Sequence, residues 1–239
     1  RGPNMAQVPN IHSPYGKECR SCWTVPEGYK LVGIDASGLE LRMLAHYMND
    51  IDYIEEVVNG DIHSTNQELA GLQTRDQAKT FIYALVYGAG DAKIGKIING
   101  DIKKGKQLRE RFLRNLPALK KLKERVQQAS NRGFLKGIDG RRIHVRSQHS
   151  ALNTLLQGSG AIVMKQAMIN LYDLIKLNTF DARFVANIHD EWQLEVKESQ
   201  ADCVGRVGVE CIEKVTDQFK MRCNLTGQYK IGGNWSETH

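Results

Sequence analysis

Tyr29-Lys-Leu-Val-Gly-Ile-Asp35, followed after Ala36 by Ser37-Gly-Leu-Glu-Leu-Arg-Met-Leu-Ala-His-Tyr-Met48, reads as a strand, an acidic turn and a helix. The first run is short and apolar and ends on a carboxylate, the pattern of a buried strand. In the second, Leu41, Leu44, Ala45 and Met48 recur on one helical face, Ser37 stands where a cap is needed, and Glu40 follows three residues later.

Downstream of this unit, the pattern from Asp50 to about Ser130 is helical, interrupted at Gly60-Asp61, Gly71, Gly88-Ala-Gly90, Gly100-Asp101 and Pro117. Gly133 to Arg146 predicts a hairpin turning at Asp139-Gly140. A long helix is expected from about Leu152 to Leu177, its core face (Leu155, Ile162, Met164, Met168, Leu171, Ile175) broken by Gln157-Gly-Ser-Gly160. Arg183 to Lys197 alternates about a central acidic pair. It predicts a hairpin with Asp190-Glu191 at its tip, Phe184, Ala186 and Ile188 facing one way, and Trp192, Leu194 and Val196 resuming the alternation. An amphipathic helix over Gln200 to Lys220 and an edge strand over Gly227 to Gly232 follow. Upstream, residues 1–28 hold four of the five prolines and read as loop. Runs of helix separated from a few strands argue an α+β fold rather than a doubly wound one, with the helical block inserted between two parts of one sheet domain.

The 239 residues suffice for one large or two modest domains. With 25% charged residues, 7% aromatics, 22 Gly and 5 Pro, collagen-like, low-complexity and disulfide-scaffold classes are excluded. No apolar run approaches the roughly 20 residues that span a bilayer. The start, RGPNMAQVPN, has neither an initiator Met nor an apolar signal core, so a soluble, intracellular piece of a longer chain is expected. The net charge of +6 is unevenly spread: Asp101 to Arg142 carries 14 Lys and Arg against four Asp and Glu, leaving the remainder at −4. Either a polyanionic partner or a solvated basic helical face accounts for that block. Cys19-Arg-Ser-Cys22 has the spacing of half a zinc site or a redox pair, but no second pair follows, and five cysteines without a secretory signal read as reduced thiols.

Asp35 and Asp190, the latter beside Glu191, each close an apolar strand, where an unpaired charge is costly. Neighbouring carboxylates raise one another's pKa unless a cation lies between them. Two strand-end aspartates are what a two-metal phosphoryl-transfer site needs. The residues lie 155 positions apart, and from spacing alone a pair of separate, solvated turn carboxylates is equally open. Arg75, Lys79, Tyr83 and Tyr87 recur every four residues, a stripe rising about 18 Å along a helix. Two cations and two aromatics at that pitch suit a nucleoside triphosphate. The alternative is a polar first turn followed by core tyrosines.

These residues carry a resemblance. Asp35-Ala-Ser-Gly-Leu-Glu-Leu-Arg42 resembles motif A of the family A (DNA polymerase I-like) DNA polymerases, Arg75-Asp-Gln-Ala-Lys-Thr-Phe-Ile-Tyr-Ala-Leu-Val-Tyr-Gly88 resembles motif B, the fingers O helix, and His189-Asp-Glu191 resembles motif C. Asp61-Ile-His63 lies between the first two, and the order is that of the family. The variety most similar is the replicative polymerase of short-tailed bacteriophages, through Ala-Ser-Gly-Leu-Glu-Leu-Arg, Ala-Lys-Thr-Phe-Ile-Tyr and Ala-Leu-Asn-Thr-Leu-Leu-Gln.

The resemblance implies an antiparallel palm sheet with packed helices (residues 1–48 and 147–239) and a mostly helical fingers insertion (49–146). It implies template-directed addition of deoxynucleotides to a primer 3′ end with two Mg²⁺ ions, in the cytoplasm of a bacterial host for a phage-encoded enzyme. Primer-template DNA and deoxynucleoside triphosphates would be the partners, the chain acting as a monomer. Asp35 and Asp190 would hold metal with the carbonyl of Ala36, and Glu191 would be an auxiliary acid near the primer end. Arg75, Lys79 and His63 would grip the triphosphate, Lys79 also protonating the leaving group. Tyr83 would pack on the sugar and Tyr87 under the base. Glu40 would block a ribose 2′-hydroxyl, which argues against the related single-subunit RNA polymerases. Arg42 would support the site, Asn153 and Gln157 would contact template or primer, and His189 would touch the primer terminus. Tyr83 stands where other members carry Phe, which implies efficient dideoxynucleotide use. Position 149 is His where some relatives have Arg. The match begins at Arg1-Gly-Pro-Asn-Met-Ala-Gln-Val-Pro9, well inside a full polymerase, and ends at Gly233-Asn-Trp-Ser-Glu-Thr-His239, like a natural C-terminus. Exonuclease, thumb and first palm strands are therefore expected to be absent. A catalytically silent nucleotide- or DNA-binding fragment is the competing expectation.

Overall fold

The apolar strand that opens the reading is β1 (Tyr29–Ala36), and in the computed structural model, which describes residues 4–238, it lies inside a four-stranded antiparallel sheet. Arg1, Gly2, Pro3 and His239, where the motif resemblance begins and ends, lie outside the described residues. A short helix α1 (Gly16–Ser21) precedes β1. The helices α2 (Leu39–Met48), α3 (Ile51–Val58), α4 (Ile62–Ala70), α5 (Arg75–Val86), α6 (Asp91–Ile97), α7 (Ile102–Asn115) and α8 (Pro117–Ser130) follow it. Next come the hairpin β2 (Phe134–Lys136) and β3 (Arg142–His144), helix α9 (Ala151–Leu177), strands β4 (Ala182–Ile188) and β5 (Glu191–Lys197), helix α10 (Ala201–Gln218) and β6 (Gly227–Gly232). The α+β expectation holds.

The chain divides into two compact units. The first takes in the chain up to Leu39, Gly160–Lys220 and the chain from Asn224 onward; the second takes in Glu40–Ser159 and Met221–Cys223. Residues 40–48 and 147–159, grouped with the sheet in the sequence reading, thus pack with the helices of the second unit.

In the first unit the strand order is β4-β5-β1-β6, with Asp35 opposite Glu191, Gly33 opposite Gln193 and Ile34 opposite Trp192. The two-residue period separates two faces. Val32, Ile34, Trp192 and Leu194 are fully buried on the face covered by Val204, Ile212 and Val215 of α10. Gly208 lets that helix approach, since a Cβ there would collide with Ile34. The other face gathers Leu31, Ile188 and Trp235, joined by Met5, Val8, Val25 and Ala186.

The structure corrects the hairpin in two ways. Phe184 pairs with Leu194 but Ala186 with Gln193, so a bulge at Val185 sends Phe184 to the opposite face from Ala186 and Ile188. One extra residue on one strand reverses the alternation beyond it. The tip is His189-Asp190, while Glu191 already belongs to β5 opposite Ile188. The long helix α9 also runs without a break through Gln157-Gly-Ser-Gly160. Gly158 makes room for Ile143, and the buried Ser159 hydroxyl meets Tyr47 Oη at 2.6 Å.

In the second unit, Phe81 of α5 and Phe112 of α7 are fully buried and meet edge to face at 5.1 Å. Helices α6 and α7 touch backbone to backbone: a Cβ on Gly105 would collide with the Asp91 carbonyl, and one on Gly95 with that of Asp101. Arg109 ties the two helices through Asp91 at 3.1 Å. Among the described residues no helix is long and apolar enough to cross a membrane, and all five cysteines are free.

Candidate active site

In the first unit the antiparallel register brings the two strand-end aspartates together. The N–H of Ala36 donates to the carbonyl of Asp190 at 3.0 Å, and Asp35 sits directly opposite Glu191. Cβ atoms so paired are about 4.5–5.5 Å apart. A two-residue turn, His189-Asp190, makes this possible. His189 has φ +56°, a conformation more costly for it than for glycine. The side chain of Glu191 is buried, 4% exposed, and not a solvated turn carboxylate. Its Oε1 accepts from Trp235 Nε1 at 3.0 Å and from Gln193 Nε2. Arg20, buried nearby, stacks on the Trp235 ring 4.2 Å from its centroid. Burial lowers the Arg20 pKa, with Glu191 acting in the opposite sense.

In the second unit, Thr74 caps α5 by accepting the N–H of Gln77, fixing where the helical stripe begins. Ala78, Phe81, Ile82 and Leu85 take the buried face, leaving Arg75 and Lys79 exposed and Tyr83 half-buried. The helix stops at Gly88, φ +74°, so Tyr87 is its C-cap and not its last helical residue. Tyr87 is 46% exposed, which excludes a core tyrosine there. The rings of Tyr83 and Tyr87 stack at 6.3 Å, and His63 of α4 lies 6.2 Å from Tyr83. The Tyr87 hydroxyl donates to Glu40.

Asp61 caps α4 and takes Arg75 in a two-pronged bond, Nε to Oδ2 at 2.7 Å and Nη2 to Oδ1 at 2.9 Å. Arg75, then Ser64, hold the Asp61 carboxyl far below the usual carboxylate range. Burial, then Arg75 and Lys79, push the His63 imidazole down, so its neutral form is favoured. His63 Nδ1 is buried and has no partner among the described residues. These groups present two cations, an imidazole and two rings along one face, an arrangement suited to a polyphosphate bearing a flat group.

The family model of DNA polymerase family A matches residues 1–237. The chain belongs to DNA polymerase family A. The DNA-directed DNA polymerases of Enterobacteria phage T3 and Escherichia phage T7 are 41% and 40% identical to it, each over 99% of this chain and 38% of their own length. The thermostable DNA polymerase I of Thermus aquaticus is 27% identical over 98% of this chain and 30% of its own. The chain thus spans well under half the length of these relatives. Among solved structures, the POL domain of Pol1 from M. smegmatis, in complex with DNA primer-template and dNTP, superposes with a TM-score of 0.88. It is 24% identical and covers 98% of this chain and 45% of its own, a likeness of fold. The resemblance read from the three motifs is borne out.

Within this family A chain, the remaining expected residues fall in the second unit, apart from His189 at the hairpin tip. Arg42 is buried, 8% exposed, and bonds the thiol of Cys223. Asn153 lies in the first turn of α9 with its Oδ1 buried and unpartnered among the described residues, and Gln157 is exposed one turn on. Gly88 packs on the His149 carbonyl, where a Cβ would come to 3.0 Å. For a metal, the Asp35 and Asp190 carboxylates and the Ala36 carbonyl would supply oxygen donors, which suit a hard divalent cation. Among the described residues no group of three or more His, Cys, Asp or Glu is placed to ligate one metal ion. Two carboxylates fit a Mg²⁺ ion that completes its shell with water and phosphate. The Trp235, Gln193 and Arg20 surroundings of Glu191 escaped the sequence reading, because nothing in their spacing marks them.

Proposed function

We propose that this chain is the palm and fingers of a template-directed DNA polymerase, adding deoxynucleoside monophosphates to a primer 3′ end and releasing pyrophosphate. The palm would be residues 1–48 and 147–239 and the fingers 49–146. The observation that carries the reading is the Ala36–Asp190 backbone bond, which holds Asp35 and Asp190 at one end of the sheet in a chain of this family.

Asp35, Asp190 and the Ala36 carbonyl would hold two Mg²⁺ ions; when bound, these activate the primer hydroxyl and neutralise charge on the transferred phosphate. Glu191 adds negative charge beside them. Arg75 and Lys79 bind the phosphates, with neutral His63 as a hydrogen-bonding neighbour, and Lys79 donates a proton to the departing pyrophosphate. Tyr83 packs on the sugar and Tyr87 under the incoming base. Glu40 crowds the 2′ position, so deoxynucleotides are chosen. Arg42, Asn153, Gln157 and His189 serve the primer and template. Primer extension at micromolar DNA tests this: lengthening abolished by Asp190→Ala and by Asp35→Ala supports it, and lengthening that survives them overturns it. The competing reading is a chain that binds nucleotide or DNA without turnover. Binding without any extension by the unaltered chain would establish that reading.

A further inference from the structure

Behind Asp35 and Asp190 runs a buried polar chain that begins at Glu191 and ends in residues 235–238. Glu191 stands beside Asp190 in sequence and opposite Asp35 across the β1–β5 pair, so three acidic residues crowd one strand end. A buried carboxylate among like charges needs donors to stay ionised and in place. Trp235 Nε1 supplies one at 3.0 Å and Gln193 Nε2 another, both on the same oxygen, Oε1.

Gln193 is itself 2% exposed, and a buried amide can be placed in either of two orientations. Glu191 can only accept, so Nε2 turns to it and Oε1 to Thr238, whose hydroxyl donates at 2.8 Å and holds the amide in that orientation. The space for this crossing is reserved at Gly33, where a Cβ would meet both the Thr238 carbonyl and the Gln193 amide. Arg20 presses on the other side of Trp235, its Nε anchored to the Pro9 carbonyl at 2.9 Å. Packing alone does not explain the indole bond: Trp192 is equally buried, and its N–H has no partner among the described residues.

We infer that Trp235 and Thr238 are positioning residues for Glu191, Trp235 directly and Thr238 through Gln193, so that segment 235–238 sets the carboxylate beside the catalytic aspartates. The inference rests on the polymerase reading of that strand end. Trp235→Phe fills the site but removes the N–H, Thr238→Val keeps the shape but removes the hydroxyl, and Thr238→Ser restores it. In single-nucleotide extension, Trp235→Phe is expected to lower kcat about tenfold with the nucleotide KM held within about twofold. Thr238→Val should give a smaller loss of kcat and Thr238→Ser none. In a Glu191→Ala background, Trp235→Phe and Thr238→Val should have little further effect.

A readout free of activity is the indole N–H spectrum of the three tryptophans. The Trp235 signal, assigned by its loss in Trp235→Phe, should be protected from exchange and should shift in Glu191→Ala. Unchanged kcat in Trp235→Phe, an equal loss with Glu191 already removed, or an indole signal indifferent to Glu191→Ala overturns the inference. Absence of extension by the unaltered chain overturns the polymerase reading instead, and the indole signal then decides whether the Trp235–Glu191 coupling exists. Should Trp235→Phe fail to fold, the Val and Ser pair at Thr238 carries the kinetic test.

Discussion

The hydroxyl of Tyr87 reaches both carboxylate oxygens of Glu40, at 2.6 and 2.7 Å. The pair joins the C-cap of α5 to the first turn of α2, and a charge-assisted bond of this kind fixes where the Glu40 carboxylate points. With Glu40 as the barrier to a ribose 2′-hydroxyl, Glu40→Ala should admit ribonucleotides. Tyr87→Phe should do so to a smaller extent, about tenfold for the loss of one such bond. Ratios of ribonucleotide to deoxynucleotide incorporation measure both, and ratios that stay at the unaltered value would remove Glu40 from that role.

Tyr83 stacks on Tyr87 and faces His63 from a half-buried position. In the proposed polymerase its hydroxyl would stand in for the 3′-hydroxyl that a dideoxynucleotide lacks. Tyr83→Phe should therefore lower dideoxynucleotide use relative to deoxynucleotide by about tenfold or more, with deoxynucleotide kcat little changed. Competition between the two substrates in one reaction gives the ratio, and equal ratios for both proteins would sink the idea.

His46 is buried, and its Nδ1 accepts the backbone N–H of Arg222 at 3.1 Å. Burial, and then the Arg222 charge, push its pKa from 6.5 down to about 4. The folded protein thus resists a proton that the unfolded chain takes up readily. This contribution to stability is complete above about pH 6.5 and is lost as pH falls toward about 4, by up to about 3 kcal/mol. Urea unfolding at several pH values should show that slope, flattened in His46→Asn, which keeps an acceptor but cannot titrate there.

Gly105 lets α7 lie against the Asp91 carbonyl of α6 with no side chain between them. In Gly105→Ala the added methyl meets backbone, which yields less readily than a flexible side chain. A loss of about 1–3 kcal/mol is expected. Gly90→Ala serves as the control, since nothing lies within 4 Å of a Cβ there. Comparable denaturation midpoints for the two variants would contradict the close approach.

Much of the fold was legible because local signals and tertiary needs agree. The run Tyr29–Ala36 is apolar enough to be read as a central strand, and Pro117 marks the start of α8. What escaped depends on partners far away in sequence. Val185 looks like any strand residue, and only pairing against β5 reveals the bulge. The long helix α9 is expected with its core face interrupted at Gln157-Gly-Ser-Gly160, but that Ile143 fills the space at Gly158 is not readable from spacing. At the candidate site, the Arg75 to Tyr87 stripe follows from helical period, whereas the Asp61 grip on Arg75 and the burial of Glu191 do not. Those depend on which side chain folds back onto which, information that a four-residue repeat does not contain.

The strand that carries Asp35 is completed on one side by β5 and on the other by β6, about 190 residues later. A ribosome making roughly 5–20 residues per second therefore releases Asp35 about 10–40 s before its last sheet neighbour exists. Until β5 is made β1 has an apolar body and open edges on both sides, and its second edge stays open until β6 follows. Nascent chains halted before Gly227 should need chaperones, and the acidic strand end cannot take its final form until β6 has been made.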